Sequence, residues 1–313
     1  MTTTTVLTTE HEVNVGAPAE QVYALIADVG AWPHTFPPTV HAQCVERDGN
    51  SELIQIWATA NGTAKTWTSR REHDPEHRTV SFRQERSQHP VGGMGGTWVV
   101  EPVSASQCRA RLLHDFFAAS DDPADLDWIS QAVDKNSRSE LKALKESAEA
   151  SGPDQLITFD DTVMVDGSAR DVYDFLNEAQ LWSQRLPHVV SVSLEEETPG
   201  LQVLGMDTST KDGSVHTTRS VRVCQPYRSI VYKQTVVPAL MTLHTGRWLI
   251  EENGPAVSVT SRHTVRINAG RIAEVLGPDA DLAQAQQFVR TALSGNSLAT
   301  LRAAKAYAES FTS

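Results

Sequence analysis

The chain of 313 residues repeats itself at a distance of 150 residues. Residues 10–38 read EHEVNVGAPAEQVYALIADVGAWPHTFPP, and residues 160–188 read DDTVMVDGSARDVYDFLNEAQLWSQRLPH. Valine, tyrosine, tryptophan and proline residues recur at the same places, and the two segments align without a gap from end to end. A repeat of this kind is typical of two copies of one folding unit, each with its own hydrophobic core.

Further landmarks extend the match along both halves of the chain. They are Val80–Gln84 with Ile230–Gln234, Gly96–Trp98 with Gly246–Trp248, and Asn136–Ser137 with Asn296–Ser297. At roughly 100–200 residues per domain, the chain has room for two domains. We therefore predict an N-terminal domain over residues 1–150 and a C-terminal domain over residues 151–313, joined near Ser151–Asp154.

Each copy has the same order of predicted elements. An alternating strand comes first, and a short helix with Pro18 in its first turn follows in the first copy. Segments rich in β-branched and aromatic residues then predict antiparallel strands, and an amphipathic helix ends each copy, at about residues 125–149 and 279–310. This order predicts an α+β fold in which a curved antiparallel sheet buries one face on the long C-terminal helix and encloses an internal cavity.

The charge balance and the cysteines exclude several classes of protein. A formal net charge of -12 leaves no general basic face for nucleic acid. No apolar run is as long as a membrane span, and the N-terminus lacks the features of a secretory signal. Three cysteines far apart in sequence fit a reducing compartment. We therefore expect a cytoplasmic protein that binds neither nucleic acid nor membrane.

The sequence offers no motif for a metal or a redox cofactor. His73 and His77 have the spacing of a zinc-binding helix, but Pro75 lies between them and favours a turn. The segment Gly92–Gly96 precedes a strand instead of a helix, which excludes a dinucleotide-binding loop. We expect no metal and no cofactor.

One predicted strand in each copy places an arginine beside a serine on one face. Because successive strand residues point to opposite faces, Ser69 and Arg71 share a face, as do Ser220 and Arg222. A guanidinium inside the cavity is costly unless something pairs with it. A carboxylate from another strand and a bound ligand rich in carbonyl oxygens both satisfy that need. An arginine that faces solvent is the remaining interpretation.

Tryptophans recur at related positions of the two copies. Trp32 and Trp182 follow the first helix of each copy, and Trp98 and Trp248 lie in a later strand. Core packing explains each of them singly. Together with Trp67 they would also supply a flat aromatic wall for a planar ligand.

A late strand carries a histidine in both copies. His114 and His263 align there. Each is either a structural histidine or a general acid or base, and the sequence leaves both interpretations open.

These features give the chain a resemblance to a known family. The residues that carry it are Ala31-Trp32-Pro33, Trp67-x-Ser69-x-Arg71, Trp98, and Asn136-Ser-Arg138 in the final helix. In this order they resemble the aromatase/cyclases of bacterial type II polyketide synthases, and the duplication is similar to the didomain branch. The resemblance covers nearly the whole chain and implies two tandem helix-grip domains, which are START-like and Bet v 1-like.

The resemblance also implies a reaction. The substrate would be a poly-β-keto chain carried by an acyl carrier protein, and the other components of the type II polyketide synthase would be partners. The pocket would favour one aldol pairing and then promote loss of water to give an aromatic ring, with no cofactor. Didomain members are similar to enzymes that act after a ketoreductase and close the first ring between C7 and C12.

The resemblance assigns roles to the candidate residues. Arg71 would stabilise an enolate or a carbonyl group, and Ser69 would donate a hydrogen bond to a carbonyl. Arg222 and Ser220 would be their counterparts, and His114 is a further catalytic candidate. The aromatic residues expected to bind substrate are Trp32, Phe36, Trp67, Trp98, Trp182 and Trp248.

The sequence departs from the family pattern in two ways. Thr39 takes the place of a pocket tyrosine of the monodomain relatives, so the proton donor is left to water, His114 or another group. The second copy has Thr218 where the first has Trp67, and lacks the proline after Trp182. We therefore expect the first domain to be the main chemical site, and the second to help with binding, to perform a separate dehydration or to be mainly structural.

Two other classes of function stay open on the sequence. One is a non-catalytic module of the same fold that binds or transports apolar ligands, and the other is a hydrolase or dehydratase of that fold with different ligands. A carrier protein is usually acidic, so an acidic enzyme would need a local basic rim to receive it. The candidates for that rim are Lys65, Arg70, Arg83 and Arg86.

Overall fold

The structure of the chain, a computed structural model, describes most of the sequence. The described residues are 5–60, 63–87, 89–150, 156–209, 215–254 and 256–312. The chain divides into two compact units, Met1–Ser151 and Gly152–Ser313. The predicted junction at Ser151–Asp154 lies outside the described residues.

The first unit consists of one antiparallel sheet and a long final helix. In chain order its elements are β1 (Leu7–Val15), α1 (Ala19–Ala27), α2 (Trp32–Thr35), β2 (Thr39–Asp48), β3 (Ser51–Ala60), β4 (Thr63–Asp74), β5 (Thr79–Gln84), β6 (Val91–Ser104), β7 (Gln107–Ala118) and α3 (Pro123–Glu149). The sheet order is β1-β7-β6-β5-β4-β3-β2. Apart from the pairing of β1 with β7, every strand pairs with its neighbour in sequence, as the repeated turn signals predict.

The second unit repeats this topology with one helix added. Its elements are β8 (Leu156–Val165), α4 (Ala169–Asn177), α5 (Trp182–Arg185), β9 (Val189–Thr198), β10 (Leu201–Ser209), β11 (Val215–Gln225), β12 (Ser229–Val236), β13 (Met241–Asn253), β14 (Ala256–Ile267), α6 (Ile272–Leu276) and α7 (Leu282–Glu309). The sheet order is β8-β14-β13-β12-β11-β10-β9. The added α6 separates β14 from α7, which explains why Asn296 lies 160 residues after Asn136 while the strands align at 150. The predicted α+β fold with two tandem helix-grip units is confirmed.

Local signals fix where the long helices begin. α3 starts at Pro123, and the Asp122 side chain accepts a hydrogen bond from the Ala124 amide at 2.9 Å. α7 starts after a capping box in which the side chains of Asp281 and Gln284 bond each other's backbone amides. Both helices therefore lie within a few residues of their predicted bounds. None of the helices in the described part of the chain is long and apolar enough to span a membrane.

Each long helix covers one face of its sheet, which we call the inner face. In the first unit, α3 buries a stripe that includes Val133, Ser137, Leu141 and Leu144. Leu141 and Leu144 pack in one apolar cluster with Val15 and with residues of α1, β5, β6 and β7, and Val133 packs in a smaller cluster with Phe116 of β7. The second unit has an equivalent cluster. Burial of these apolar side chains holds each sheet against its helix.

Candidate active site

A row of directly paired residues crosses the inner face of each sheet. In the first unit the row is Glu52, Arg71, Phe82, Gly96, His114 and Thr9. In the second unit it is Gln202, Arg222, Tyr232, Gly246, His263 and Phe159. Paired residues of neighbouring strands lie on the same face. The arginine and the histidine that the sequence singled out separately therefore belong to one row.

Arg71 is buried and held at several points. Its guanidinium Nη1 lies 3.1 Å from Glu52 Oε1, and Nη2 donates to the Ile26 carbonyl at the end of α1 at 2.8 Å. Its Cζ lies 5.0 Å from the centre of the Trp32 ring. Burial lowers the pKa of Arg71 to about 10, so the group stays charged at neutral pH. Of the interpretations drawn from the sequence, a carboxylate from another strand is the partner present here.

That carboxylate, Glu52, is itself only 1% exposed. His73 Nε2 lies 2.8 Å from its Oε1, and Arg47 Nη2 donates to its Oε2 at 2.5 Å. Burial alone would raise the pKa of Glu52, but the hydrogen bond from His73 and the charges of Arg71 and Arg47 outweigh it and lower the pKa. No motif in the sequence singled out Glu52. The available signal was its alternation with Ile54 and its place opposite Arg71 in the β3–β4 hairpin.

The second unit builds the same position without a carboxylate. Gln202 takes the place of Glu52 and pairs in register with Arg222. Arg222 Nη2 donates to the Leu176 carbonyl at 2.6 Å, and Cζ lies 5.3 Å from the centre of the Trp182 ring. Nη1 of both arginines is buried without a hydrogen-bond partner among the described residues, but only Nη1 of Arg71 has a carboxylate, Glu52, beside it as an ion-pair partner. Arg222 therefore has an unused donor in a buried place.

The serine beside each arginine is buried as well. Ser69 Oγ donates to the Arg83 carbonyl of β5 at 3.1 Å. Its hydroxyl proton is thus used within the sheet, and hydrogen bonding to a ligand would need the hydroxyl to rotate. Ser220 is 8% exposed.

The predicted aromatic residues differ in exposure. The buried ones, each 6% exposed, are Phe36, Trp98, Trp182 and Trp248. Phe36 lies between Trp32 and Trp98, with ring centres 5.7 Å and 6.3 Å away. Trp32 and Trp67 are half-buried and keep accessible surface. These two are therefore the predicted wall residues with free surface for a ligand.

His114 lies at the α3 end of the first row. Its Nδ1 is 3.4 Å from Ser137 Oγ, and its ring meets Phe82 edge-on at 5.5 Å. Burial lowers the pKa of His114 to about 4, so the imidazole is neutral at neutral pH. It can accept a proton, but it holds no surplus proton to give.

Glu140 is a second carboxyl group of the inner face that no motif in the sequence singled out. It lies on α3 one turn after Ser137 and one turn before Leu144, which places it on the stripe that faces the sheet. Burial raises its pKa to about 7. A carboxyl group that is half ionised at neutral pH suits general acid–base catalysis. The equivalent position of the second unit is Thr300, so the repeat carried no signal for it.

Comparisons with known proteins match both units to families of one description. The family described as polyketide cyclase/dehydrase and lipid transport matches residues 6–149, and a second family of the same description matches residues 165–289. The granaticin polyketide synthase bifunctional cyclase/dehydratase of Streptomyces virginiae is 49% identical over 93% of this chain and 96% of its own length. The actinorhodin counterpart of Streptomyces coelicolor is 44% identical over 95% of this chain and 96% of its own length.

Solved structures give the same result for the whole chain. The di-domain ARO/CYC BexL from the BE-7585A biosynthetic pathway superposes with a TM-score of 0.91 at 58% identity, covering 97% of this chain and 99% of its own. The di-domain ARO/CYC StfQ from the steffimycin pathway superposes with a TM-score of 0.88 at 32% identity, with the same coverage.

Proposed function

Because the chain belongs to the polyketide cyclase/dehydratases, as a didomain aromatase/cyclase of the bacterial type II synthases, we propose that it forms the first aromatic ring of a polyketide. The substrate is a ketoreduced poly-β-keto chain on an acyl carrier protein. Aldol closure joins C7 to C12, and loss of water then makes the ring aromatic.

The row on the inner face is the observation that carries this proposal. It brings a buried guanidinium and a neutral imidazole to the same side of the sheet in both units. Aldol closure and dehydration both pass through an enolate. Donors fixed in a water-poor place stabilise the developing oxyanion without the cost of reorienting water. Holding the chain bent brings the two reacting carbons together and selects the ring that forms.

The proposal keeps the predicted catalytic residues and adds one. Arg71 stabilises the enolate through its N–H groups, with Glu52 fixing its position, and Ser69 binds a carbonyl oxygen. His114 is a neutral hydrogen-bond partner. The monodomain relatives have a pocket tyrosine where this chain has Thr39, and Glu140 supplies the exchangeable proton in its place. Burial leaves the carboxyl group of Glu140 close to half ionised at neutral pH.

The second unit repeats the oxyanion part of this site. Arg222 and Ser220 act there as Arg71 and Ser69 do in the first unit. In the first unit the half-buried Trp32 and Trp67 contact the bound chain, and the buried Phe36 and Trp98 support that wall from behind. Trp182 and Trp248 are the buried aromatic residues of the second unit.

We assign delivery of the substrate to a small basic rim at the end of the β4–β5 ladder. Arg70 pairs with Glu85 at 2.9 Å and Arg83 pairs with Asp115 at 2.8 Å, so both charges are already neutralised. Lys65 and Arg86 are exposed. These two are the residues on which docking of an acidic carrier protein would depend.

Reconstitution of the synthase tests the reaction. A minimal type II synthase and ketoreductase would be supplied with carbon-13-labelled malonyl units, with and without the full chain. The proposal predicts an aromatic first ring only when the chain is present, with carbon–carbon couplings that place the new bond between C7 and C12.

Two results would contradict the proposal. A new bond at another pair of carbons would show that the C7–C12 assignment is wrong. Identical products with and without the chain, together with tight binding of the polyketide, would show a binding module of the same fold instead of an enzyme.

A further inference from the structure

The second unit contains a buried polar cluster that the first unit lacks. His263 lies at its centre. Its Nδ1 is 2.9 Å from His244 Nε2 and 3.2 Å from Tyr232 Oη. Its Nε2 is 2.5 Å from Ser297 Oγ and 3.2 Å from Ser261 Oγ. Five side chains from three strands and α7 thus form one hydrogen-bonded cluster on the inner face.

The first unit shows that the fold does not require this cluster. Phe82, Met94 and Leu112 occupy the places of Tyr232, His244 and Ser261. Only the histidine and the serine of the last helix recur, as His114 and Ser137, at a longer distance of 3.4 Å. Burying five polar groups costs more than burying apolar ones unless each is satisfied. The fold therefore does not require the two imidazoles and the phenol, which are specific to the second unit.

One member of the cluster has access to a ligand. Tyr232 is half-buried, whereas His244, Ser261, His263 and Ser297 are buried. Tyr232 pairs in register with Arg222, whose Nη1 has no hydrogen-bond partner among the described residues. A phenol backed by an imidazole thus lies next to a guanidinium with an unused donor.

From this juxtaposition we infer that the second unit is the dehydration site, where Tyr232 and His263 relay protons for loss of water from a cyclic β-hydroxy ketone held by Arg222. The inference rests on the proposed function and divides its two steps between the units. The phenol that the sequence lacks at Thr39 is thereby found in the other copy, on a different strand.

The hydrogen bonds favour one protonation pattern. Burial lowers the pKa of His263 to about 4 and that of His244 to about 3, so both rings are neutral at neutral pH. His244 Nδ1 is buried without a partner among the described residues. An orphaned N–H is rarer than an orphaned lone pair, so the proton of His244 belongs on Nε2 and points at His263. The single lone pair of His263 Nδ1 then accepts from both the His244 N–H and the Tyr232 hydroxyl, and its Nε2–H donates to Ser297.

This pattern lets one tyrosine serve first as base and then as acid. Tyr232 passes its proton to His263 Nδ1, which breaks the hydrogen bond from His244, as the Tyr232 oxygen takes the proton from the carbon next to the ketone. The C–H electron pair forms an enolate, whose oxygen accepts a hydrogen bond from Arg222. The enolate electrons then re-form the ketone and make the new C=C bond, as the hydroxyl group leaves with its C–O electron pair and takes the proton from Tyr232. His263 returns its proton to the tyrosinate, so the enzyme is unchanged and one water has been formed.

The test uses the full chain in the reconstituted synthase, with rapid quenching and mass spectrometry. Tyr232→Phe installs the residue that the first unit has at this place, and His263→Gln keeps hydrogen bonding but cannot relay the proton. We expect either change to slow dehydration by about 100-fold or more, so that a ring heavier by one water accumulates. The bond that closes the ring should be unchanged. Tyr173→Phe is the matched control, because this buried tyrosine of α4 also donates one hydrogen bond, to Asn177.

The remaining outcomes separate the two claims. If Tyr232→Phe and His263→Gln both give the wild-type ratio of hydrated to aromatic ring, the relay is wrong and ring formation stands. If both variants lose ring closure while Tyr173→Phe does not, the division of steps between the units is wrong. If the wild-type chain itself forms no ring, the proposed function fails, and the inference fails with it. Melting curves of all three variants show whether the fold is kept.

Discussion

The same buried arginine has different surroundings in the two units, and this difference decides what each can do. Arg71 has its charge largely balanced by Glu52, whereas Arg222 pairs in register with Gln202, which carries no charge. A buried guanidinium without a carboxylate in direct contact attracts an oxyanion more strongly, because its nearest acidic group, Glu196, lies behind Gln202 and competes only weakly. The first unit therefore holds its arginine firmly, and the second offers more of its charge to a ligand.

Glu52→Gln tests this reading of the first unit. The second unit tolerates glutamine here, so we expect the variant to fold, with a loss of about 1–3 kcal/mol because Arg71 loses its charged partner. Because ionic contacts lower the pKa of Glu52, the stability they give is present above the usual glutamate range and is lost as the pH falls through the lowered pKa. Thermal melts from neutral to acid pH should show a flatter decline for the variant. An unchanged acid profile would mean that the ion pair contributes nothing.

Glu140→Gln separates stability from catalysis. Burial raises the pKa of Glu140 from 4.5 to about 7, so ionising this group costs the folded state stability as the pH rises from 4.5 to 7. Above that range we expect the amide to be more stable by roughly 2–3 kcal/mol, while ring formation slows by at least 10-fold. The rate–pH profile should lose an inflection near pH 7. A variant that is more stable and equally active would show that Glu140 has no part in the chemistry.

For single residues, the sequence predicted which side chains belong to the candidate site more reliably than it predicted the side chains they contact. Alternation along a strand was enough to put Ser69 and Arg71 on one face, and the repeat made Arg222 a candidate. Glu52 and Glu140 could not be predicted from the sequence, for different reasons. Glu52 became visible only through the hairpin register, and Glu140 lies on a helix whose counterpart carries threonine. The burial that shifts the pKa of Glu140 comes from packing, which no residue pattern reports.

Between neighbouring strands, the inner rows depend on a glycine under an aromatic ring. Phe82 pairs with Gly96, and Tyr232 pairs with Gly246. A Cβ at position 246 would lie 2.2 Å from the Cζ and the hydroxyl of Tyr232. The glycine thus leaves the space in which the phenol meets His263.

Gly246→Ala should displace that ring. We expect a loss of about 1–3 kcal/mol from overpacking and a slower dehydration step. Gly295→Ala in α7 is the matched control, because its Cβ would meet no atom within 4 Å and should stabilise the helix by about 1 kcal/mol. Thermal melts of both variants measure the difference. If Gly246→Ala is as stable and as active as the wild type, position 246 has room for a Cβ and does not determine where the Tyr232 ring lies.

The elements themselves followed closely from the sequence. The final helices were predicted within a few residues because their apolar stripes are long and their starts carry caps. The strand register could not be predicted, since it depends on turn geometry and on pairing across the sheet. The row that joins the arginine to the histidine is a product of that register.

Over the whole molecule, the chain consists of two copies of one fold whose inner faces differ.

The net charge of -12 makes binding of an acidic carrier protein depend on a few local cations. We expect Lys65→Glu together with Arg86→Glu to weaken carrier binding by at least 10-fold at low salt. Arg302→Glu, a reversal on an exposed residue of α7, should have a much smaller effect. Titrations with an acyl carrier protein at increasing salt test this, and equal loss in all variants would place the docking surface elsewhere.

The central claim is that buried guanidinium groups on the inner faces drive formation of the aromatic ring. The most direct measurement is the product profile of the reconstituted synthase with Arg71→Ala and with Arg222→Ala. The exposed neighbours Arg70→Ala and Arg219→Ala serve as controls. We predict that the two buried arginine variants divert most of the material to unaromatised products, while both controls keep the wild-type profile. An unchanged profile from both buried arginine variants, with their folds intact, would contradict the claim.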